Sequence, residues 1–259
     1  VAGTYSVLIT DENGCEFPIE IDITQNEELT AQHTTSEYGI YQISCKNSND
    51  GSIDLVTNGG TGAYSYQWSA VDNDGQTITV PQADANGNIT GLVAGTYSVL
   101  ITDENGCEFP IEIEMTQPDQ GVDIQESHSD FTGQGVSCFG ESDGFIDVTV
   151  TGGTGGYIYN WSAVDTNGQI ITVPADTDGD ISGLVAGTYS LIATDSNGCF
   201  TEIVVEITQN QELTASETTS DFTGQGVSCF GESDGSIDLV TNGGTGVYNY
   251  QWSAVDNDG

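Results

Sequence analysis

The sequence repeats itself with a period of 92 residues, and this repetition constrains the fold more than any other feature. The string VAGTYS begins at Val1, Val93 and Val185, and residues 1–21 reappear unchanged as residues 93–113. The string WSAVD also recurs, beginning at Trp68, Trp161 and Trp252. A chain that repeats in this way folds as a series of similar units that pack on their neighbours. The sequence therefore predicts a tandem array and not one large domain.

The repeat divides the chain into four segments. We expect the C-terminal part of a first module in residues 1–26, complete modules in residues 27–117 and 118–209, and the N-terminal part of a further module in residues 210–259. Because the first and last residues both fall inside a repeat, we expect the parent chain to continue in both directions.

Alternating apolar residues and regular turn sequences predict about seven β-strands in each module. Gly and Asn recur between the strands, where they accept the positive φ of tight turns. The strands predicted for residues 28–117 are A (29–34), B (52–57), C (63–70), C′ or D (76–80), E (88–92), F (96–102) and G (109–116). The predicted fold is all-β, with tandem immunoglobulin-like β-sandwich modules joined end to end at a period of about 92 residues.

Aromatic residues recur at fixed places in the predicted sandwich. A tryptophan on strand C belongs in the core of such a module, and a tyrosine at the start of strand F is typical of a tyrosine corner. We therefore assign structural core positions to Trp68, Trp161, Trp252, Tyr5, Tyr97 and Tyr189.

The charge of the chain limits its partners. Lys46 is the one Lys or Arg against 40 Asp and Glu residues, which gives a formal net charge of -39. Such a polyanion does not bind nucleic acid or anionic lipid unaided. No stretch approaches the roughly 18 apolar residues of a membrane span, so we expect no direct membrane insertion.

Each repeat carries one cysteine before strand B and one in the turn before strand G, a pattern that favours disulfides in an exported chain. Strands B to F make five passes, so the start of B and the end of F should lie at opposite ends of a module. A disulfide requires Cα atoms within about 7 Å. We therefore favour a bond between modules, Cys45 with Cys199. The alternative is pairing within modules, Cys45 with Cys107 and Cys138 with Cys199, which holds if one short strand is miscounted.

Acidic loops at one end of each module are candidates for calcium, which prefers six to eight oxygen ligands. The sequence D-x-[DN]-G is also a good hairpin turn by itself, so the two interpretations stay open. The candidate calcium ligands are Asp50, Asp72, Asp74, Glu141, Asp143 and Asp165.

At the level of motifs the chain resembles the SprB repeat of large surface adhesins in gliding Bacteroidota. The resemblance rests on SCFGESDGFIDVTVTGGTGGYIYNWS from Ser137 and LVAGTYSLIATDSNGC from Leu184, and it extends over the whole chain. It implies an immunoglobulin-like fold, a cell-surface or secreted-filament location, export by the type IX secretion route and a role in adhesion or gliding. The copy at Ser44 departs from the pattern, with CKNSNDG where the others have CFGESDG.

Near-identical copies predict a structural function, the stalk or filament shaft of a bacterial surface adhesin. The alternative is that the modules themselves bind carbohydrate or a partner surface, as lectins do. The expected partners are neighbouring modules of the same chain, and identical chains if several wind into a fibre. His33 and His128 occupy non-equivalent positions and have no repeated nucleophile beside them, so we predict no enzyme.

Overall fold

The computed structural model describes residues 1–173 and 177–255. Its secondary structure in these residues is entirely β, which confirms the predicted fold class. Within the described ranges, nothing has the length and apolar character of a membrane-crossing helix. The chain forms two compact units, Val1–Gly121 with Asn197–Cys199, and Val122–Ser196 with Phe200–Gly259. The four segment boundaries given above stay a prediction.

The first unit contains a hairpin and a complete β-sandwich. The hairpin is β1 (Gly3–Thr10) and β2 (Glu16–Ile23). The sandwich strands are β3 (Thr30–Thr35), β4 (Gly51–Asn58), β5 (Ser65–Val71), β6 (Thr77–Ile78), β7 (Ile89–Leu92), β8 (Gly95–Thr102) and β9 (Glu108–Met115). They form a three-stranded sheet in the order β3-β4-β7 and a four-stranded sheet in the order β6-β5-β8-β9. All pairings are antiparallel, as in immunoglobulin-like sandwiches.

The core of this sandwich lies between the two sheets. Tyr97, Val99 and Ile101 of β8 are at most 2% exposed, and they alternate with partly exposed residues because successive side chains of a strand point to opposite faces. They pack against Ile53 of β4 and Ile89 of β7 in one cluster. Burying each large apolar side chain contributes about 1.5–3 kcal/mol, so this face stabilises the module.

Gly51 marks the point where β4 can approach the G strand closely. A Cβ atom at this position would lie 2.5 Å from Cδ1 of Ile43 and 2.9 Å from Cε of Met115, both side chains of the core. The register between β4 and β7 also shifts between Gly51 and Ser52, which is a β-bulge. A larger residue would therefore displace the loop that precedes β4.

The second unit repeats this architecture. Its sandwich strands are β10 (Asp123–His128), β11 (Gly144–Thr151), β12 (Ile158–Asp165), β13 (Ile170–Ile171), β14 (Ile181–Leu184), β15 (Gly187–Thr194) and β16 (Phe200–Ile207). The sheet orders are β10-β11-β14 and β13-β12-β15-β16, the same as in the first unit. The unit also holds the strand pair β17 (Thr214–Thr219) and β18 (Ile237–Asn242).

Each strand predicted for residues 28–117 has a counterpart, with ends that differ by a few residues. The largest difference is the strand predicted at 76–80, of which only Thr77–Ile78 pairs with β5. Pro81 comes three residues after Ile78 and has no N–H to donate, and the turn from Asp84 to Asn88 then redirects the chain.

Candidate functional site

The loop before β4 is held rigidly at one end of the first sandwich. The backbone N–H groups of Gln42 and Ile43 donate to the carbonyl of Thr116 at 3.1 and 3.0 Å, and Ile43 is fully buried. The backbone N–H of Ser44 donates to Oδ1 of Asp50 at 3.2 Å, and the Ser44 hydroxyl donates to Oδ2 of the same carboxylate. The loop that carries Cys45 is therefore closed by its own hydrogen bonds, independently of contacts with other segments.

A turn from the following repeat completes this loop within the first unit. Cys45 is disulfide-bonded to Cys199, with the Cα atoms 5.6 Å apart and a sequence separation of 154. Nδ2 of Asn197 donates to the carbonyl oxygens of Tyr38 and Ser44, each at 3.3 Å. The Sγ atom of Cys199 is 3.3 Å from the Ser44 carbonyl oxygen, and Cys199 is only 7% exposed. Hydrogen bonds from Asn197 therefore join the two segments in addition to the disulfide.

The alternative pairing also involves Cys107 and Cys138, which do not take part in this disulfide. Cys107 and Cys138 are unpaired and exposed in the structure, as are Cys15 and Cys229. Cys45 precedes β4, whereas Cys107 follows Asp103, whose carboxylate accepts a hydrogen bond from Thr61 beyond the far end of that strand. An eight-residue strand spans about 26 Å, several times the reach of a disulfide. The pairing of the cysteines in solution stays a prediction that peptide mapping tests.

The second unit builds the same loop. The N–H groups of Gly135 and Val136 donate to the Thr208 carbonyl at 3.0 and 3.1 Å, and Ser137 donates to Oδ1 of Asp143 at 3.0 Å. Hydrogen bonds from the hydroxyl and N–H of Ser137 lower the pKa of Asp143 below 3.8. Asp50 and Asp143, proposed above as calcium ligands, therefore already serve to close these loops.

The remaining candidate calcium ligands are also turn residues. Oδ1 of Asp72 accepts from the N–H groups of Asp74 and Gln76 at 2.9 and 2.8 Å, and Asp165 accepts in the same way from Asn167 and Gln169. Asp72, Asp74 and Lys46 line one shallow pocket, so the acidic turn and the cysteine loop share an end of the sandwich. Glu141 is exposed next to the loop of Cys138. Among the described residues, no three or more His, Cys, Asp or Glu side chains are grouped to hold a metal ion.

The opposite end of the sandwich is fastened by Asp103, the first residue of the DENG turn before strand G. Its carboxylate accepts from the N–H groups of Cys107, Asn105 and Thr61 at 2.8, 2.9 and 2.9 Å. These hydrogen bonds, that of Cys107 first, lower the pKa of Asp103 below 3.8. The signal was present in the sequence, because an aspartate begins the turn before every strand G.

The aromatic positions assigned to the core differ in their surroundings. Tyr97 and Tyr189 are fully buried, and each hydroxyl donates to a backbone carbonyl four residues earlier, at 3.1 and 2.9 Å, which is the tyrosine corner. Trp68 and Trp161 are half-buried against the cores, and their indole N–H groups donate to Gly87 and Gly179. Tyr5 and Trp252 are 50% and 65% exposed, so neither is buried.

The two histidines lie on edge strands of different units. His33 is exposed on β3, and Nδ1 of His128 on β10 lies 3.0 Å from Oε2 of Glu126.

The residues that build these loops and core positions coincide with a known repeat. The family model of the SprB repeat matches residues 40–73, 134–166 and 224–257. These three segments of the chain are similar to the SprB repeat. Each match begins before the loop cysteine and ends after the tryptophan of strand C, so the SprB pattern includes Cys45, Asp50 and Trp68 of the first copy.

The chain also matches solved structures of tandem domain arrays, all at low sequence identity. The N-terminal eight Ig domains of Down Syndrome Cell Adhesion Molecule are 14% identical over 80% of this chain and 28% of that chain, with a TM-score of 0.43. The chain therefore spans little more than a quarter of that structure. The tetra-tandem repeat in the extending region of a large adhesion protein is 16% identical over 94% and 71%, with a TM-score of 0.30. Extracellular domains 3–5 of Drosophila OTK are 16% identical over 80% and 70%, with a TM-score of 0.28. No curated protein matches the chain.

Proposed function

We propose that this chain is a segment of the stalk or filament shaft of an extracellular bacterial surface adhesin. In this proposal the SprB repeats carry tension and hold a separate adhesive element away from the cell. The repeats themselves contribute length and mechanical resistance, and recognition of the target belongs to other parts of the protein.

The main support is the bond between Cys45 and Cys199, which come from successive repeats. A disulfide within one module would stabilise that module alone. A disulfide between successive repeats resists their separation when the chain is pulled, which is what a shaft requires. The same loop is built around Cys138, so the arrangement can recur along the array.

The charge supports the same function. A net charge of -39 with a single Lys makes neighbouring segments repel each other, and this repulsion disfavours collapse of a long array onto itself. Repulsion between exposed carboxylates is screened over about 8–10 Å at physiological ionic strength, so it acts mainly between adjacent surfaces.

A display experiment tests the proposal. The chain is placed between a cell-surface anchor and a terminal peptide tag, in versions with one, two and three copies of residues 27–209. The shaft function predicts that antibody-coated beads bind more efficiently as copies are added, and that beads without antibody do not bind. Bead binding that is independent of copy number would contradict a spacer function.

The second candidate function is carbohydrate or partner binding by the modules. The observation that favours it is a shallow depression on the four-stranded sheet of the first unit, lined by Gln67, Ser69, Ser98 and Glu112 beside Leu100. Hydroxyl, amide and carboxylate groups of this kind suit sugar hydroxyls. A glycan array with the whole chain separates the candidates, because selective and saturable binding that Glu112→Gln weakens would favour the binding function.

A further inference from the structure

The turn that reaches the Cys45 loop contains a chemically labile dipeptide, Asn197-Gly198. Gly198 has a φ of 87°, in the left-handed region that favours glycine, so the turn itself requires a glycine after the asparagine. Because glycine has no Cβ to shield its backbone nitrogen, that nitrogen can attack the side-chain amide of the preceding asparagine. The reactive pair is therefore a consequence of the turn geometry.

The loop holds the amide of Asn197 in place. Its Nδ2 atom donates to the carbonyl oxygens of Tyr38 and Ser44, each at 3.3 Å, and the side chain is half-buried. Attack by the Gly198 nitrogen requires the Asn197 side chain to rotate, and this rotation breaks both hydrogen bonds. The contact with the loop therefore opposes the reaction.

The equivalent turn of the first sandwich holds its asparagine differently. Asn105 is exposed, and its Nδ2 atom donates to the hydroxyl of Thr61 at 3.0 Å. Gly106, which follows it, has a φ of 81°, close to that of Gly198. The two turns thus carry the same reactive pair in a similar backbone conformation, and they differ in what the amide contacts.

We propose that Asn197 is a deamidation site controlled by the joint, meaning the contact of the Cys45 loop with residues 197–199. The closed joint protects the amide, and deamidation of an opened joint prevents it from closing again with its original strength. The inference rests on the proposed shaft function and extends it, because it gives the joint a permanent chemical record of having been opened.

Deamidation needs only water as a co-reactant. The Gly198 nitrogen forms a bond to Cγ of Asn197, the Cγ–Nδ2 bond breaks, and the proton of the attacking nitrogen leaves with Nδ2 as ammonia. One water molecule then hydrolyses the resulting cyclic imide at either of its two carbonyls. The products are aspartate or isoaspartate at position 197, so the net reaction exchanges an amide for a carboxylic acid that is ionised at neutral pH.

The product carboxylate does not fit the loop. An amide donates hydrogen bonds, whereas an ionised carboxylate only accepts them, and the carbonyl oxygens of Tyr38 and Ser44 are acceptors as well. Asp50 already places negative charge in this loop, because its carboxylate accepts from the N–H of Ser44 at 3.2 Å. Lys46, the one Lys or Arg of the chain, lines a pocket with the turn of Asp72. Deamidation therefore replaces two favourable contacts with repulsion.

Deamidation kinetics of the whole chain test the protection. The oxidised parent chain and the variant Cys45→Ser are incubated at mildly alkaline pH, then reduced completely and cleaved before aspartate. Aspartate at position 197 creates a new cleavage site and releases residues 197–220, whereas isoaspartate leaves residues 195–220 intact with a higher mass. Asn105 is the internal reference, because its turn has the same Asn-Gly-Cys sequence at residues 105–107.

Opening the joint should accelerate the reaction at one asparagine only. We expect Asn197 to deamidate about tenfold or more faster in Cys45→Ser than in the oxidised parent, since two hydrogen bonds no longer hold its amide. The rate at Asn105 should be the same in both proteins. Equal rates at Asn197 in the two proteins, or an equal acceleration at Asn105, would refute the protection.

Redox equilibria with glutathione test the effect of the product on the joint. Asn197→Asp reproduces one deamidation product, and Asn105→Asp adds the same charge to the equivalent turn. We expect Asn197→Asp to lower the equilibrium constant for the bond between Cys45 and Cys199 about tenfold or more, and Asn105→Asp to leave it unchanged. The same constant in both variants would overturn the proposal.

The disulfide itself separates this proposal from the shaft function. It is quantified as the link between residues 22–49 and residues 195–220, or residues 197–220 in Asn197→Asp. If the link forms in the parent chain and Asn197→Asp does not weaken it, control by deamidation fails and the shaft proposal stands. If the link is absent from the parent chain at every glutathione ratio, both proposals fail.

Discussion

Breaking the bond between Cys45 and Cys199 should lengthen the chain under force by a large and calculable amount. The disulfide closes a loop with a sequence separation of 154 residues, and while it is intact those residues cannot be extended by pulling on the two ends. A fully extended chain spans about 3.3–3.6 Å per residue, so the hidden length is about 500–550 Å. The folded distance that must be subtracted, 5.6 Å between the Cα atoms, is negligible.

Single-molecule force spectroscopy measures this length when both ends are attached through groups that are not thiols. Cys45→Ser should increase the final contour length by about 500–550 Å, and added reductant should do the same for the parent chain. Cys107→Ser is the matched control, since Cys107 is exposed and unpaired, and it should leave the contour length unchanged. The reasoning is refuted if Cys45→Ser and the parent chain extend to the same length, or if Cys107→Ser is the longer variant.

Three further predictions concern single groups. Tyr97→Phe removes a buried hydroxyl that donates to the Val93 carbonyl and should lower the free energy of unfolding by about 0.5–1.5 kcal/mol, whereas Tyr5→Phe, at an exposed position, should change it far less in urea titrations. The folded-state pKa of Asp103 is below its ordinary 3.8, so the stability from its carboxylate is present above pH 3.8 and is lost as the pH falls through the folded pKa. Urea midpoints of Asp103→Asn should accordingly fall less than those of the parent chain on acidification below that pH, and parallel curves would contradict this. The calcium hypothesis requires a higher melting temperature in calcium than in EDTA, reduced by Asp72→Asn, and identical melting curves would remove it.

Much of the fold follows from local sequence signals. The apolar residues from Tyr97 to Ile101, interrupted only by Ser98 and bounded by Gly95 and the DENG turn, predict strand F without long-range information. The identity of residues 1–21 and 93–113 likewise makes the repeat plain. The end of strand C′ was harder to place, because pairing of a two-residue edge strand depends on its neighbour more than on its own sequence.

The contacts of the site depend on where distant segments meet, and the sequence could not specify them. Counting strands predicted that Cys45 and Cys107 lie at opposite ends of the sandwich. It could not predict the hydrogen bonds that Asn197 donates to the carbonyl oxygens of Tyr38 and Ser44. Acidic loops were ambiguous for a related reason. One aspartate can bind a cation or close its own turn, and in Asp72 the hydrogen bonds to Asp74 and Gln76 show the second use.

Cleavage before aspartate under non-reducing conditions, followed by mass spectrometry, examines the covalent joint on which the account depends. The joint between successive repeats predicts that the fragment 22–49, with Cys45, is recovered bound to the fragment 195–220, with Cys199. Recovery of 22–49 bound to 103–118 would place the bond inside one module and contradict the account.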